Sequence, residues 1–256
     1  MKKVKEFFKN ELTELKLLFR SVPSWVVALY AVSVVLMNLL ANKEIKTGLE
    51  YLVLDSGLLI SWIAFLAMDI ITKRFGPKAS IRISIFALLV NLSMCLLFFL
   101  VSKINGNWGE FYTFLDENIN TALNHTIGGS WFVVMGSSIA FIVSAIVNSI
   151  LHFLIEKLFK KDNLVAFSIS SHVSTYIAQF IDNLLFALIV SCTLFGWTFI
   201  QSVVCALTGA IAELLCEVLF SWPGYLVCKK WKKENVGQEY IDYLENKNNI
   251  TIEGEN

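Results

Sequence analysis

Residues 81–101 read IRISIFALLVNLSMCLLFFLV, and from Ile83 to Ser102 no side chain carries a charge. A helix crossing the bilayer's hydrocarbon needs about 20 apolar residues, and this run supplies them. It is too long and too uniform for the alternation of a strand or the one-sided stripe of a soluble helix. Working outward, five further apolar blocks appear: residues 24–42, 52–71, 131–152, 168–192 and 198–227. The last is long enough to tilt, or to leave the membrane near Pro223 and Gly224. Overall the chain is 56% hydrophobic and only 16% charged, against about 25% charged in soluble domains. The expectation is an all-α fold, an integral membrane bundle of about six transmembrane helices.

The flanks orient it. Six Lys and Arg residues between Lys2 and Arg20 alternate with Phe7, Phe8, Leu12, Leu15, Leu18 and Phe19, which predicts an amphipathic helix at the cytoplasmic interface. That charged stretch is too long, and lacks the small-residue site, for a cleaved signal peptide. With the basic loops at Lys73–Arg82 and Lys157–Lys161 and the C-terminal flank, eighteen Lys and Arg residues fall on one side. Lys43, Lys46 and Lys103 alone fall on the other. The positive-inside bias predicts an even number of spans with both termini inside the cell membrane. The division expected is residues 1–22 as the interfacial helix, 23–228 as the transmembrane domain and 229–256 as a polar cytoplasmic tail. Between the third and fourth spans, residues 111–123 predict a short helix on the outer surface. The five cysteines all lie in or beside apolar segments, with no zinc-type spacing, and read as small buried side chains. Formal net charge is zero, which gives no reason to expect nucleic acid.

Polar side chains inside the bilayer are costly and therefore mark function or helix pairing. The fifth block is richest: Ser168, His172, Thr175, Gln179 and Asp182 recur at steps of four and three, with Asn183 beside the last. They share one helical face, and Ile169, Val173, Ile177, Ile181, Leu184 and Leu188 take the other. The fourth block carries Ser137, Ser144, Asn148 and His152; the sixth carries Gln201, Thr208, Glu213 and Glu217. Asp69 ends the second block just before Lys73 and Arg74, and either pairs with those cations or belongs to the site. Asn38, Asn42 and Asn91 are further polar groups without an ionic partner in sequence. A carboxylate and a carboxamide one turn apart suit the N–H-rich edge of an amidine or aminopyrimidine. The same carboxylates, with His172, His152 and Glu217, are candidates for proton or ion coupling.

Three patches resemble the vitamin-uptake or queuosine-precursor transporter family. Asn38-Leu-Leu-Ala-Asn42-Lys43 is similar to the family's close of its first span, and Asp69-Ile-Ile-Thr-Lys-Arg-Phe-Gly76 to the stretch after its second. The most specific is Ser174-Thr175-Tyr-Ile-Ala-Gln179-Phe-Ile-Asp182-Asn183-Leu-Leu-Phe186, which resembles a Ser-Thr…Gln-x-x-Asp-Thr-x-x-Phe motif. The resemblance implies membrane uptake of a 7-deazaguanine base such as queuine, preQ0 or preQ1, without enzymatic activity, cofactor or metal. On it, the substrate-binding candidates are Gln179, Asp182, Asn183, Thr175, Asn148, Glu213, Asn42 and Asp69. The chain departs from the pattern at three places. Asn148 and Leu151 stand where the family repeats Gln-x-x-Asp, Glu213 replaces a basic residue, and Lys73 replaces an acid. The expected partners are the deazapurine base and the lipid bilayer, with a homo-oligomer left open. The alternative is a substrate-binding subunit of an energy-coupling-factor vitamin importer, which would need ATPase partners. An intramembrane protease is disfavoured, because the His and Glu spacings match no metal-protease motif.

Overall fold

A computed structural model describes residues 2–49, 52–109, 117–128, 131–159, 164–194 and 196–253. Helix α1 (Lys2–Ser21) meets α2 (Ser24–Leu40) at a bend of 100°. Pro23 makes the corner, since its ring bars the preceding residue from helical geometry and it offers no N–H. Leu18 and Val22 are buried at this corner, so α1 lies against the bundle instead of extending α2.

After α2 the chain forms an antiparallel hairpin, β1 (Glu44–Leu49) and β2 (Leu52–Asp55), with Glu44 opposite Asp55 and Ile45 opposite Leu54. The expected all-α fold therefore carries one small sheet, and the apolar block begun at Leu52 is strand first and helix second. Ser56 clips the hairpin closed: its N–H and its Oγ both donate to the Lys43 carbonyl, at 2.8 and 2.9 Å. Helix α3 (Leu58–Phe75) then runs to Gly76, whose φ of +85° lets the chain reverse into Pro77 at the start of α4 (Pro77–Ser102).

Helix α5 (Glu117–Gly128) follows; the first part of the helix expected over 111–123 lies outside the described residues. Helices α6 (Trp131–Glu156) and α7 (Leu164–Phe186) pair closely, and α7 continues through a π-helical turn, Ala187–Ser191, and a single turn α8 (Cys192–Leu194). There Gly136 of α6 permits close approach, because a Cβ on it would sit 2.4 Å from Val190 Cγ2. Helix α9 (Phe199–Lys233) opens with a capping box between Thr198 and Gln201 and continues unbroken through Pro223. Beyond a turn at Gly237, α10 (Gln238–Glu253) folds back, with Tyr240 buried against Phe75. The tail expected to be polar is thus partly docked.

The core runs through Tyr30, Phe65, Met68, Ile83, Phe141 and Phe167, with Tyr30 Oη and Ser84 Oγ hydrogen-bonded at 2.6 Å. Around it the outer helix faces are apolar and exposed, including Leu89, Leu96, Ile139, Val173, Leu215 and Leu219. Such a surface is costly in water and matched to lipid. Among the described residues, four helical stretches are long and apolar enough to cross a membrane: Pro77–Ser102, Glu117–Glu156, Leu164–Ser191 and Phe199–Phe220. The bent pair around Pro23 makes a fifth if it is one span. The protein is a multi-pass membrane bundle.

Candidate functional site

Helix α7 divides as its sequence period requires. Ile169, Val173, Ile177 and Leu188 are exposed, while Ser171, Ser174, Thr175 and Gln179 are wholly buried. Ser168, His172 and Asp182 flank the buried strip and are half-buried. Their partners come from α3, α6 and α9, and fall into two clusters.

The outer cluster lies beneath the hairpin. Ser144 Oγ of α6 donates to Asp182 Oδ1 at 2.8 Å, and Asn183 Nδ2 donates to Glu213 Oε2 of α9 at 3.3 Å. Ser61 of α3 donates to the other oxygen of Glu213, and Ser137 of α6 donates to Asn38 Oδ1 of α2. Asn38, Ser61, Ser137, Asp182, Asn183 and Glu213 line one cavity of about 30 Å³. A second cavity of about 20 Å³ adjoins it toward Leu54 and Trp197, sharing Leu58, Asn183 and Phe186. Gly209 of α9 makes room for Asn183: a Cβ there would lie 2.8 Å from its Nδ2.

The inner cluster centres on Asp69, which is fully buried. Asn148 Nδ2 donates to its Oδ1 at 2.8 Å, and Ser171 Oγ and Thr175 Oγ1, the latter at 3.3 Å, donate to its Oδ2. The His152 ring faces two carboxylates, with Nδ1 3.2 Å from Asp69 Oδ1 and Nε2 3.6 Å from Glu156 Oε2. Neither approach is aligned as a hydrogen bond. Glu156 in turn holds the Lys73 ammonium, and the Phe167 ring sits 5.3 Å below that cation. Arg74 turns away, donating through Nε to the Val236 carbonyl at 3.1 Å and through Nη2 to Gln238 Oε1 at 3.2 Å. Asp69 is therefore tied to α6 and α7 and not to the cations that follow it in sequence. Lys73, Arg74 and Glu156 open onto a vestibule of about 330 Å³ with Tyr225, Cys228 and Lys229.

Gln179 lies between the clusters, one turn of α7 from Thr175 and one from Asp182. It is fully buried, and neither its Oε1 nor its Nε2 has a partner among the described residues. Two unmatched amide atoms in a dry core would cost about 1–3 kcal/mol each. A water or ligand group bridging this level removes that cost.

Of the residues singled out in the sequence, Asp182, Asn183 and Glu213 meet in the outer cluster, and Asp69, Asn148, Thr175 and His152 in the inner one. Asn42 joins neither, because its Nδ2 bonds back to the carbonyls of Asn38 and Leu39, at 3.3 and 3.1 Å, where α2 ends. His172 stays at the edge, with no partner for its Nε2 among the described residues. The Glu217 side chain lies outside those described. Ser61 and Ser171 carried no sequence signal, since a lone serine in an apolar helix is common and their partners lie 152 and 102 positions away. Among the described residues no group of three or more His, Cys, Asp or Glu side chains is placed to hold a metal ion.

Chemically, the outer cluster offers two carboxylates and two carboxamides to one small cavity, and the inner cluster a chain of titratable groups leading to the vestibule. A family model described as "putative vitamin uptake transporter" matches residues 55–227, more than half of the chain and inclusive of every residue of both clusters except Asn38. In the comparisons with curated proteins and with solved structures, nothing matches.

Proposed function

The chain belongs to the vitamin uptake transporter family, and we propose that its cargo is a 7-deazaguanine-type queuosine precursor bound in the outer cluster. The observation that supports this cargo is the convergence of Asp182, Asn183 and Glu213 on one cavity. A deazaguanine presents adjacent N–H donors and a carbonyl along one edge. Two carboxylate acceptors and an amide that both donates and accepts complement such an edge, and leave a donor-poor analogue with unpaired oxygens. Phe186 also lines the cavity and supplies an apolar wall for the planar ring.

The cavity is far below the roughly 300 Å³ typical of ligand pockets, so the described form is closed around its polar groups. Admission of a base requires the hairpin and the outer ends of α2 and α3 to withdraw. In this reading α2, α3, α4, α6, α7 and α9 are the six spans, with both termini inside. Helices α2 and α3 have 17 and 18 residues, about 26 Å each, slightly under the hydrocarbon thickness. Residues 1–22 and 229–256 then flank a transport domain of residues 23–228.

The test is salvage in a queuosine-synthesis mutant: expression of this chain restores queuosine to tRNA from an external deazaguanine, and Asp182→Asn abolishes it at equal membrane abundance. No salvage by the wild-type chain overturns the cargo. Salvage only when ATPase subunits copurify moves the assignment to an energy-coupling-factor importer.

A further inference from the structure

We propose that uptake is coupled to protons and that Asp69, His152 and Glu156 form the path by which the coupling proton leaves toward the cytoplasm. The inference deepens the transport reading and rests on it. Its ground is the inner cluster, whose residues do not line the cavity in which the cargo is placed. An imidazole placed between two carboxylates, one fully buried and one opening on a 330 Å³ vestibule, has the geometry of a relay.

Charge balance leaves the cluster room for one proton. Asp69 and Glu156 carry two negative charges and Lys73 one positive, in a setting where a net charge is costly. One further proton, on the imidazole or a carboxylate, makes the cluster neutral. Among the described residues the further cations near it, Lys157 beside Glu156 and Lys229 and Lys232 at the vestibule, are exposed and act on it through solvent. Asn148, Ser171 and Thr175 are neutral donors to Asp69. Tyr30 on α2 is bonded to Ser84 of α4, and Arg74 is engaged by the turn before α10. Lys78 and Arg82 at the start of α4 face the glutamates of α1. On α9, Tyr225, Cys228, Lys229 and Lys232 border the vestibule, and His172 lies on the edge of α7.

The step conserves its proton. A proton arriving at Asp69 from the Gln179 level passes from the carboxyl to His152 Nδ1, and His152 Nε2–H then passes its proton to Glu156. Glu156 yields it to vestibule water, and rotation or tautomer exchange of the ring resets the relay. Both contacts are close but misaligned, so a small turn of the ring makes one bond and loosens the other.

The purified chain in liposomes, with labelled 7-aminomethyl-7-deazaguanine, tests this. An alkaline interior by one pH unit supports up to about tenfold accumulation for one proton per base. An entrapped pH dye reports proton entry when the base is added, and a protonophore abolishes accumulation. His152→Gln and Glu156→Gln lose accumulation and proton entry while base-for-base exchange across the membrane persists. Glu156, at the vestibule, serves where the buried His152 variant misfolds. Accumulation that survives both substitutions, or that ignores the protonophore, overturns the proposal. If the wild type does not exchange the base at all, the cargo fails. An infrared pH titration then decides the relay by itself: a carboxyl band lost in Asp69→Asn and shifted in His152→Gln supports it, and no such band overturns it.

Discussion

At the scale of single residues, the site's character comes from polar atoms buried among the helices. Gln179 is the sharpest case, because a glutamine that only filled space would be better replaced by a methionine of similar volume. Gln179→Met is expected to raise the thermal midpoint of the detergent-purified protein, since two unmatched amide atoms disappear. Uptake is expected to fall about tenfold or more, the worth of a lost hydrogen bond to cargo or bridging water. A stabilised variant with unchanged uptake would reduce Gln179 to packing. Two departures from the family pattern also become physical here. Glu213, where a basic residue is usual, is met by Asn183 and Ser61, and Lys73, where an acid is usual, is met by Glu156. Each changed charge stands opposite a group that accommodates it.

At the scale of elements, the helices decide which of these atoms meet. Gly209 shows how narrow the tolerance is. Alanine there gains up to about 1 kcal/mol of helix propensity, but its Cβ would lie 2.8 Å from Asn183 Nδ2. That amide is the end of a movable side chain, so Gly209→Ala is expected to keep the fold and displace Asn183 from Glu213. Base binding, measured by equilibrium exchange, should weaken several-fold. Gly224→Ala, whose nearest neighbours are the flexible ends of Leu66 and Ile70, should leave it unchanged. Equal effects from the two would remove Asn183 from the site. The strip on α7 was legible in sequence because a period of 3.6 separates lipid-facing from buried positions without knowledge of any neighbour. Asp69 was legible as a candidate but not its bonds to Ser171 and Thr175, and Ser61 carried no signal, because both act only through long-range packing of α3. The hairpin escaped for a related reason: Leu52-Val-Leu-Asp55 is apolar and abuts an apolar helix, so composition merges the two, and only pairing with Ile45 and its neighbours separates them. Asn42, a candidate from its polar character and the family-like patch, lies two residues past the end of α2, where its Nδ2 bonds back to the Asn38 and Leu39 carbonyls.

At the scale of the whole molecule, the two ends of the chain are fastened to each other beneath the bundle, which neither terminal sequence announces. Glu14 of α1 is fully buried and receives Lys78 at 3.0 Å and Arg82 at 2.6 Å from α4, and Lys247 at 2.7 Å from α10. Glu11 also meets Lys78 and Lys247, at 3.7 and 3.9 Å. Burial alone would push the Glu14 carboxyl upward. The hydrogen bonds from Lys247 and Lys78 and the charge of Arg82 outweigh it, and hold the group below the ordinary carboxylate value. A lowered folded-state value means that the unfolded chain binds the proton first, so this contribution is complete above the ordinary carboxylate range and is lost as pH falls through the lowered value. Glu14→Gln should therefore cost about 1–3 kcal/mol at neutral pH, the range for charged hydrogen bonds whose cations are partly exposed. Thermal melts of wild type and variant in detergent should converge as acidity protonates Glu14, and added salt should narrow the neutral gap. A gap that stays constant into strong acid would mean that Glu14 acts by shape alone. Convergence would mean that α1, the entry to α4 and α10 are held together by charge.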